Sequence, residues 1–264
     1  MHGTLMKKAL IIGLTSDIGR GIESNLLADG WEVYGTSTNY NLGNIIKLDL
    51  ADSTQLNSFS RHATQYDNWS LLFFIAGTME PIGPFFETNL DDWENSLRIN
   101  VLSQIKILQI LWPYRSKYVE PNVCFLAGGG TNSSFDNYSS YCLSKIMLIK
   151  FVELMASENS DSKFFIIGPG FMKTKIHNQT LKANTRAGRN LEKTALFMEG
   201  NGTSISRLYK HIMWCINQPK DAISGRNFST VHDPWDSDPN LPGYLLKNSD
   251  LYKLRRRDFG IEEV

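Results

Sequence analysis

Tyr141 and Lys145 stand four residues apart in Tyr141-Cys142-Leu143-Ser144-Lys145. On a helix that spacing puts a phenol and an ammonium one turn apart on the same face. A nearby cation favours the phenolate and so brings a tyrosine nearer to the pKa that proton transfer at neutral pH requires. From Tyr141 to Met155 nearly every residue is apolar, the exceptions being Ser144, Lys145, Lys150 and Glu153. A lysine on a helix that apolar needs a partner or a purpose.

A second constellation is Gly13-Leu14-Thr15-Ser16-Asp17-Ile18-Gly19, which follows an apolar run and opens a helical pattern. Glycines in that context let the backbone approach a pyrophosphate at a positive helix N-terminus. The same segment also reads as an ordinary strand-to-helix turn capped by Asp17. His211 and Cys215 have the i, i+4 spacing of metal ligands, but no third ligand is recognisable and no metal site is expected.

The elements that must carry these groups alternate. Strands are expected at Lys8 to Leu14, Trp31 to Thr36, Ile45 to Leu48, Leu71 to Ala76, Asn122 to Ala127 and Lys163 to Ile167. Helices are expected at Ile18 to Ala28, about Ser53 to Thr64, Asp91 to Trp112 and Tyr138 to Ser157. Strands that are apolar throughout, alternating with helices, require a parallel sheet covered on both faces, hence a doubly wound α/β fold. Nothing divides the chain, so all 264 residues are expected in a single domain, with Phe171 to about Met213 as a helical flap over the site.

Composition narrows the function classes. With 42% apolar residues and 27 basic against 27 acidic side chains, the chain reads as a compact globular protein, and its zero net charge argues against nucleic-acid binding by bulk electrostatics. Cys124, Cys142 and Cys215 form no C-x-x-C pair, and an odd count precludes a full disulfide framework. The apolar stretch after Met1 to Lys8 is too short for a signal peptide, and no run reaches the length of a membrane span. A cytoplasmic protein without a membrane partner is the expectation.

With these marks in order, the sequence resembles the short-chain dehydrogenase/reductase family, in its short single-domain branch, over about Lys7 to Thr174 and again over Ser224 to Val231. Gly13 and Gly19 match the outer glycines of the family's cofactor turn, with Thr15, Ser16, Asp17 and Ile18 between them. Asp49, followed by Leu50, matches the aspartate that contacts the adenine, and Ala76-Gly77 the end of the N-N-A-G segment. Asn100 matches the active-site asparagine, Tyr141 and Lys145 the catalytic pair, and Pro169-Gly170 with Thr174 the P-G-x-x-x-T segment that lines the nicotinamide. The resemblance implies hydride transfer between NAD or NADP and a carbonyl or secondary alcohol. It further implies that Tyr141 is the general acid in reduction, that Lys145 holds the nicotinamide ribose and biases Tyr141 toward the phenolate, and that Asn100 anchors a water in the proton relay.

Four positions depart from the family pattern. The substrate-orienting serine, 13 positions before the tyrosine, is Gly128, so Thr131, Ser133, Ser134 or a backbone N–H of the glycine run has to take its place. The middle glycine of the cofactor turn is Asp17. Phe74-Ile75 replace two asparagines, so the bonds that brace that strand must come from elsewhere. The second strand ends in Thr36-Ser37-Thr38-Asn39, with neither an acid for the adenosine ribose nor an arginine for a 2′-phosphate; Ser37 and Thr38 could bond that phosphate, which tilts the reading to NADP over NAD.

The flap carries Lys173, Lys175, Lys182, Arg186, Arg189 and Lys193 against one acid, Glu192, a charge that would draw an anionic substrate such as a phosphorylated or nucleotide-linked sugar. The alternative is a solvated basic helix, and Leu254-Arg255-Arg256-Arg257-Asp258 is ambiguous in the same way. Leu97 to Trp112 and Tyr141 to Met155 are apolar on more than one stripe, which points to a homodimer or homotetramer. Two other readings stand beside the oxidoreductase: a cofactor-binding sensor or scaffold weakened in catalysis, and an epimerase or dehydratase of the longer branch.

Overall fold

The computed structural model describes residues 7–256; Met1 to Met6, and Arg257 with Asp258 of the basic run, lie outside the described residues. Seven parallel strands, β1 (Lys8–Ile12), β2 (Glu32–Ser37), β3 (Ile45–Lys47), β4 (Trp69–Phe74), β5 (Asn122–Leu126), β6 (Lys163–Gly168) and β7 (Asn227–Ser229), form one sheet in the order β3-β2-β1-β4-β5-β6-β7. The chain reverses direction of travel across the sheet between β1 and β4, where Ile11 pairs with Phe73. A crevice opens at the carboxyl ends of strands on either side of such a switch point. The short seventh strand was not among the expected strands.

Alternation along each strand builds two cores. Ala9, Ile11, Leu71 and Phe73 point to one face and Leu10, Ile12, Leu72 and Phe74 to the other. On the first face lie α1 (Asp17–Ala28) and a later helix, Ile205–Asn217. On the second lie α2 (Ser53–Ser58), α4 (Ser103–Leu111) and α5 (Ser139–Glu158), with α3 (Leu90–Leu97) leading into α4. No helix among the described residues is long and apolar enough to cross a membrane.

Three expected spans need correction. The helix expected to about Thr64 is α-helical only to Ser58 and continues as a 3-10 helix, Phe59–Tyr66, with Phe59, Ala63 and Tyr66 buried in the core. The helix expected from Asp91 to Trp112 is interrupted by a π-helical turn at Arg98–Leu102, and Trp112–Tyr114 closes it as a 3-10 turn containing Pro113. The flap ends earlier than Met213. Its helices are α6 (His177–Ala183) and α7 (Asn190–Glu199), whereas α8 (Ile205–Asn217) buries Leu208, Ile212 and Cys215 against the sheet because those residues share one helical face.

Candidate active site

Chain reversal after β1 depends on Gly13, whose φ of +93° is a left-handed conformation; a Cβ there would stand 2.9 Å from the Cβ of Ala76. A side chain at Gly19 would run into the carbonyls of Leu14 and Gly13. These two glycines therefore let the turn lie flat across the ends of β1 and β4. Thr36 Oγ1 accepts from the Gly13 N–H at 3.0 Å, and Thr15 Oγ1 donates to Ser37 Oγ at 3.1 Å, which ties the turn to the end of β2.

Asp17 is not the helix cap. Ser16 is extended and its Oγ accepts from the Gly19 N–H at 3.1 Å, so the cap lies one residue earlier, and the Asp17 carboxylate turns instead to the N–H of Lys175 at 2.9 Å. A cradle that a Cβ would fill, at the N-terminus of a 12-residue helix, fits the pyrophosphate of a dinucleotide. Toward the adenosine end, Ser37 is buried and already bonded while Thr38 is exposed. Asp49 Oδ1 accepts from the Ala51 N–H at 2.9 Å, and Leu50 lends its carbonyl to Ser103 Oγ at 2.6 Å.

Bracing of the segment after β4, which the missing asparagines left open, comes from the π turn. Asn100, fully buried, accepts from the Thr78 N–H and donates to the Thr78 carbonyl, both at 2.9 Å, and donates also to Ser96 Oγ at 3.3 Å. Gln104 donates to the Ala76 carbonyl at 2.9 Å. Phe74 stacks on Phe125, ring centroids 4.5 Å apart. Both amide hydrogens of Asn100 are spent on the protein, and its amide positions the loop that carries Ala76 and Gly77.

Tyr141 and Lys145 stand on the first turns of α5. Lys145 is 6% exposed, donates to the Leu126 carbonyl at 2.8 Å and lies 5.5 Å from the centre of the Tyr141 ring. Burial lowers its pKa to about 8. Burial raises the pKa of the Tyr141 phenol, the opposite of the shift a neighbouring cation produces.

Around this pair lies a cavity of about 780 Å³. It brings together Tyr141, Lys145, Thr131, Gly77, Ile18, Pro169, Gly170 and Thr174. Gly13, Thr15, Ser16, Asp17, Gly19, Ser37, Thr38, Asp49, Leu50, Ala76 and Asn100 stay outside its lining. Thr131 and Ser133 line it on the loop that begins at Gly128, while Ser134 does not.

Sequence reading missed the cavity's apolar wall. Met79, Phe135, Phe171, Ile176, His177 and Phe197 all line it. Phe171 stacks between the His177 and Phe197 rings at 4.2 and 4.8 Å. Phe171 adjoins Pro169-Gly170, which was a usable signal; the stacking of residues 171, 177 and 197 depends on how two flap helices fold together.

Three of the six flap cations meet acids: Arg189 and Asp136 at 2.8 Å, Arg186 and Glu87 at 3.7 Å, Lys175 and Asp17 at 3.8 Å. Lys193 lines the cavity. His211 and Cys215 are buried, with His211 Nδ1 3.0 Å from Thr230 Oγ1, and no cluster of three potential metal ligands occurs among the described residues.

Residues 7–185 match the family model of the short chain dehydrogenases. The chain belongs to the short-chain dehydrogenase/reductase family. It is 28% identical over 101 residues to an uncharacterized oxidoreductase of Saccharomyces cerevisiae, 38% of this chain and 39% of that one. It is 23% identical over 137 residues to a benzil reductase ((S)-benzoin forming) of the same yeast, 49% of this chain and 52% of that one. The matched stretches thus span about half or less of these relatives. Among solved structures, a short chain dehydrogenase/reductase of S. cerevisiae superposes with a TM-score of 0.73 at 21% identity, covering 89% of this chain and 98% of that one. ElxO with NADP bound gives 0.69 at 18%, covering 86% and 97%. At such identities the likeness establishes the fold.

Proposed function

We propose that this member of the family is an NADP(H)- or NAD(H)-dependent carbonyl reductase whose proton donor is Tyr141. The observation that carries the reading is Tyr141 on the wall of the cavity, with the buried ammonium of Lys145 one helical turn on. When bound, the nicotinamide supplies the hydride. Gly13, Ile18 and Gly19 would receive the pyrophosphate, Lys145 the nicotinamide ribose, and Pro169, Gly170 and Thr174 the nicotinamide face. Tyr141 gives its proton to the oxygen of the reduced carbon. Thr131, or a backbone N–H of the glycine run from Gly128, orients the substrate carbonyl in place of the family serine.

NADP is the favoured cofactor. Besides the missing acid after β2, a guanidinium reaches that end of the sheet: Arg20 Nη2 donates to Tyr40 Oη at 2.7 Å. For the substrate, the ring wall of Phe135, Phe171 and Phe197 supports a bulky aromatic ketone, a class to which the benzil of the yeast relative also belongs. A phosphorylated or nucleotide-linked sugar draws its support from Lys193 alone, once the acid-paired cations are set aside. A homodimer or homotetramer is supported by the exposed Leu102, Leu143, Met147 and Leu154 on the outer faces of the central helices. Three free thiols are in keeping with a reducing cytoplasm.

The test is a titration with NADPH and NADH, read by energy transfer from tryptophan, followed by turnover on aromatic ketones and phosphorylated sugars. Tyr141→Phe is expected to bind cofactor normally and to lose nearly all turnover; undiminished turnover would sink the assignment. Cofactor binding without turnover on any carbonyl would favour the sensor or scaffold.

A further inference from the structure

We propose that Asp17 is a positioning residue that closes the flap onto the cofactor turn and couples that closure to cofactor binding. Its carboxylate accepts from the backbone N–H of Lys175 at 2.9 Å and stands 3.8 Å from the Lys175 ammonium. The two residues are 158 positions apart, and Lys175 directly follows Thr174, at the edge from which α6 departs. Because Ser16 already caps α1, Asp17 is free for this second task. Other ties hold the flap on the substrate side: Gln179 accepts from the Met79 N–H at 2.7 Å, and Asn137 donates to the Arg186 carbonyl at 2.9 Å. The bond to Asp17 is the one that reaches the cofactor turn.

Charge gives the contact its consequence. A carboxylate in the first turn of α1 is favoured by the helix dipole, but it occupies the turn that would receive a pyrophosphate, and like charges a few ångströms apart repel. The Lys175 ammonium offsets that repulsion only while the flap is down. An open flap leaves a bare carboxylate beside the phosphates, so the closed form is the one that binds cofactor well. This inference rests on reading the glycine turn as the pyrophosphate site.

Two readouts test it, tryptic cleavage at Arg186 and Arg189 in the cofactor-free protein and the Kd for NADPH. Asp17→Ala is expected to speed cleavage about fivefold, with NADPH restoring protection. Lys175→Ala is expected to raise the Kd about two- to threefold, the scale of an exposed ion pair. The double variant is expected to return to the Kd of Asp17→Ala, and Lys175→Arg to behave as wild type. Unchanged cleavage in Asp17→Ala, or Kd effects that simply multiply in the double variant, would overturn the proposal. Should the wild-type protein bind neither nicotinamide cofactor, the functional reading fails, and the cleavage arm still decides whether Asp17 closes the flap.

Discussion

The Tyr141 hydroxyl occupies the space into which a side chain at position 128 would project, so Gly128 and the phenol are fitted to each other. Glycine here is a steric requirement of the tyrosine's position. Restoring the family's serine by Gly128→Ser is therefore expected to push the phenol off its place and lower kcat by about tenfold or more, with NADPH affinity little changed. Steady-state kinetics beside a cofactor titration measure both. A rise in kcat would mean that the ring moves aside freely and that the missing hydroxyl does limit the enzyme.

Lys145 sets a pH dependence whose sign follows from its burial. Its folded pKa is lowered from 10.5 to about 8, so its charge is intact below about 8 and is lost as pH rises through it. Reduction is expected to slow above that value, and Lys145→Met to remove this limb while costing activity about a hundredfold. Between about 8 and 10.5 the unfolded chain binds a proton at this lysine that the folded chain does not, so the Lys145 contribution to stability rises with pH across that window, while the buried thiols of Cys124, Cys142 and Cys215, held above their usual range, act in the opposite sense. Urea unfolding at a series of pH values should show the lysine's share as a wild-type-minus-Lys145→Met difference that rises with pH across the window.

Asn100→Ala removes three hydrogen bonds at once and leaves the N–H and carbonyl of Thr78 without their partner. A loss of roughly 2 to 3 kcal/mol is expected from denaturant unfolding. Because the loop it braces runs on from Gly77, kcat should fall as well. Full stability in Asn100→Ala would mean that Gln104 and the ladder to β1 hold the loop unaided.

The parallel sheet and the placing of Tyr141 beside Lys145 on one helix were legible because each depends on short-range pattern: apolar runs of five or six residues, a glycine turn, a phenol and an ammonium one helical turn apart. The π turn at Arg98–Leu102 was not, since it is drawn out by Asn100 bonding to Thr78, 22 residues away in the chain. Asp17 looked like a cap for the same reason. Ser16 next to it is an equally good cap by type, and nothing local reveals that Lys175 waits 158 residues on. The flap's basic character was plain, whereas the acids that meet it, Asp17, Glu87 and Asp136, lie on three other segments.

Arg20 offers the last test, of cofactor choice. Sequence reading found no arginine at the end of β2, because the guanidinium comes from α1 and meets that end through Tyr40, three residues past the strand. A guanidinium presents paired donors that suit a phosphate, and Arg20 also faces Glu23 at 2.8 Å, so its charge is held without being buried. If it reads the 2′-phosphate, Arg20→Ala should raise the Kd for NADPH about tenfold and leave that for NADH unchanged. Tyr40→Phe, which frees the guanidinium from its hydroxyl partner, should change the NADPH value by less. Equal losses for the two cofactors would assign Arg20 to the stability of α1, and the preference would then have to come from Thr38 and the absence of an acid.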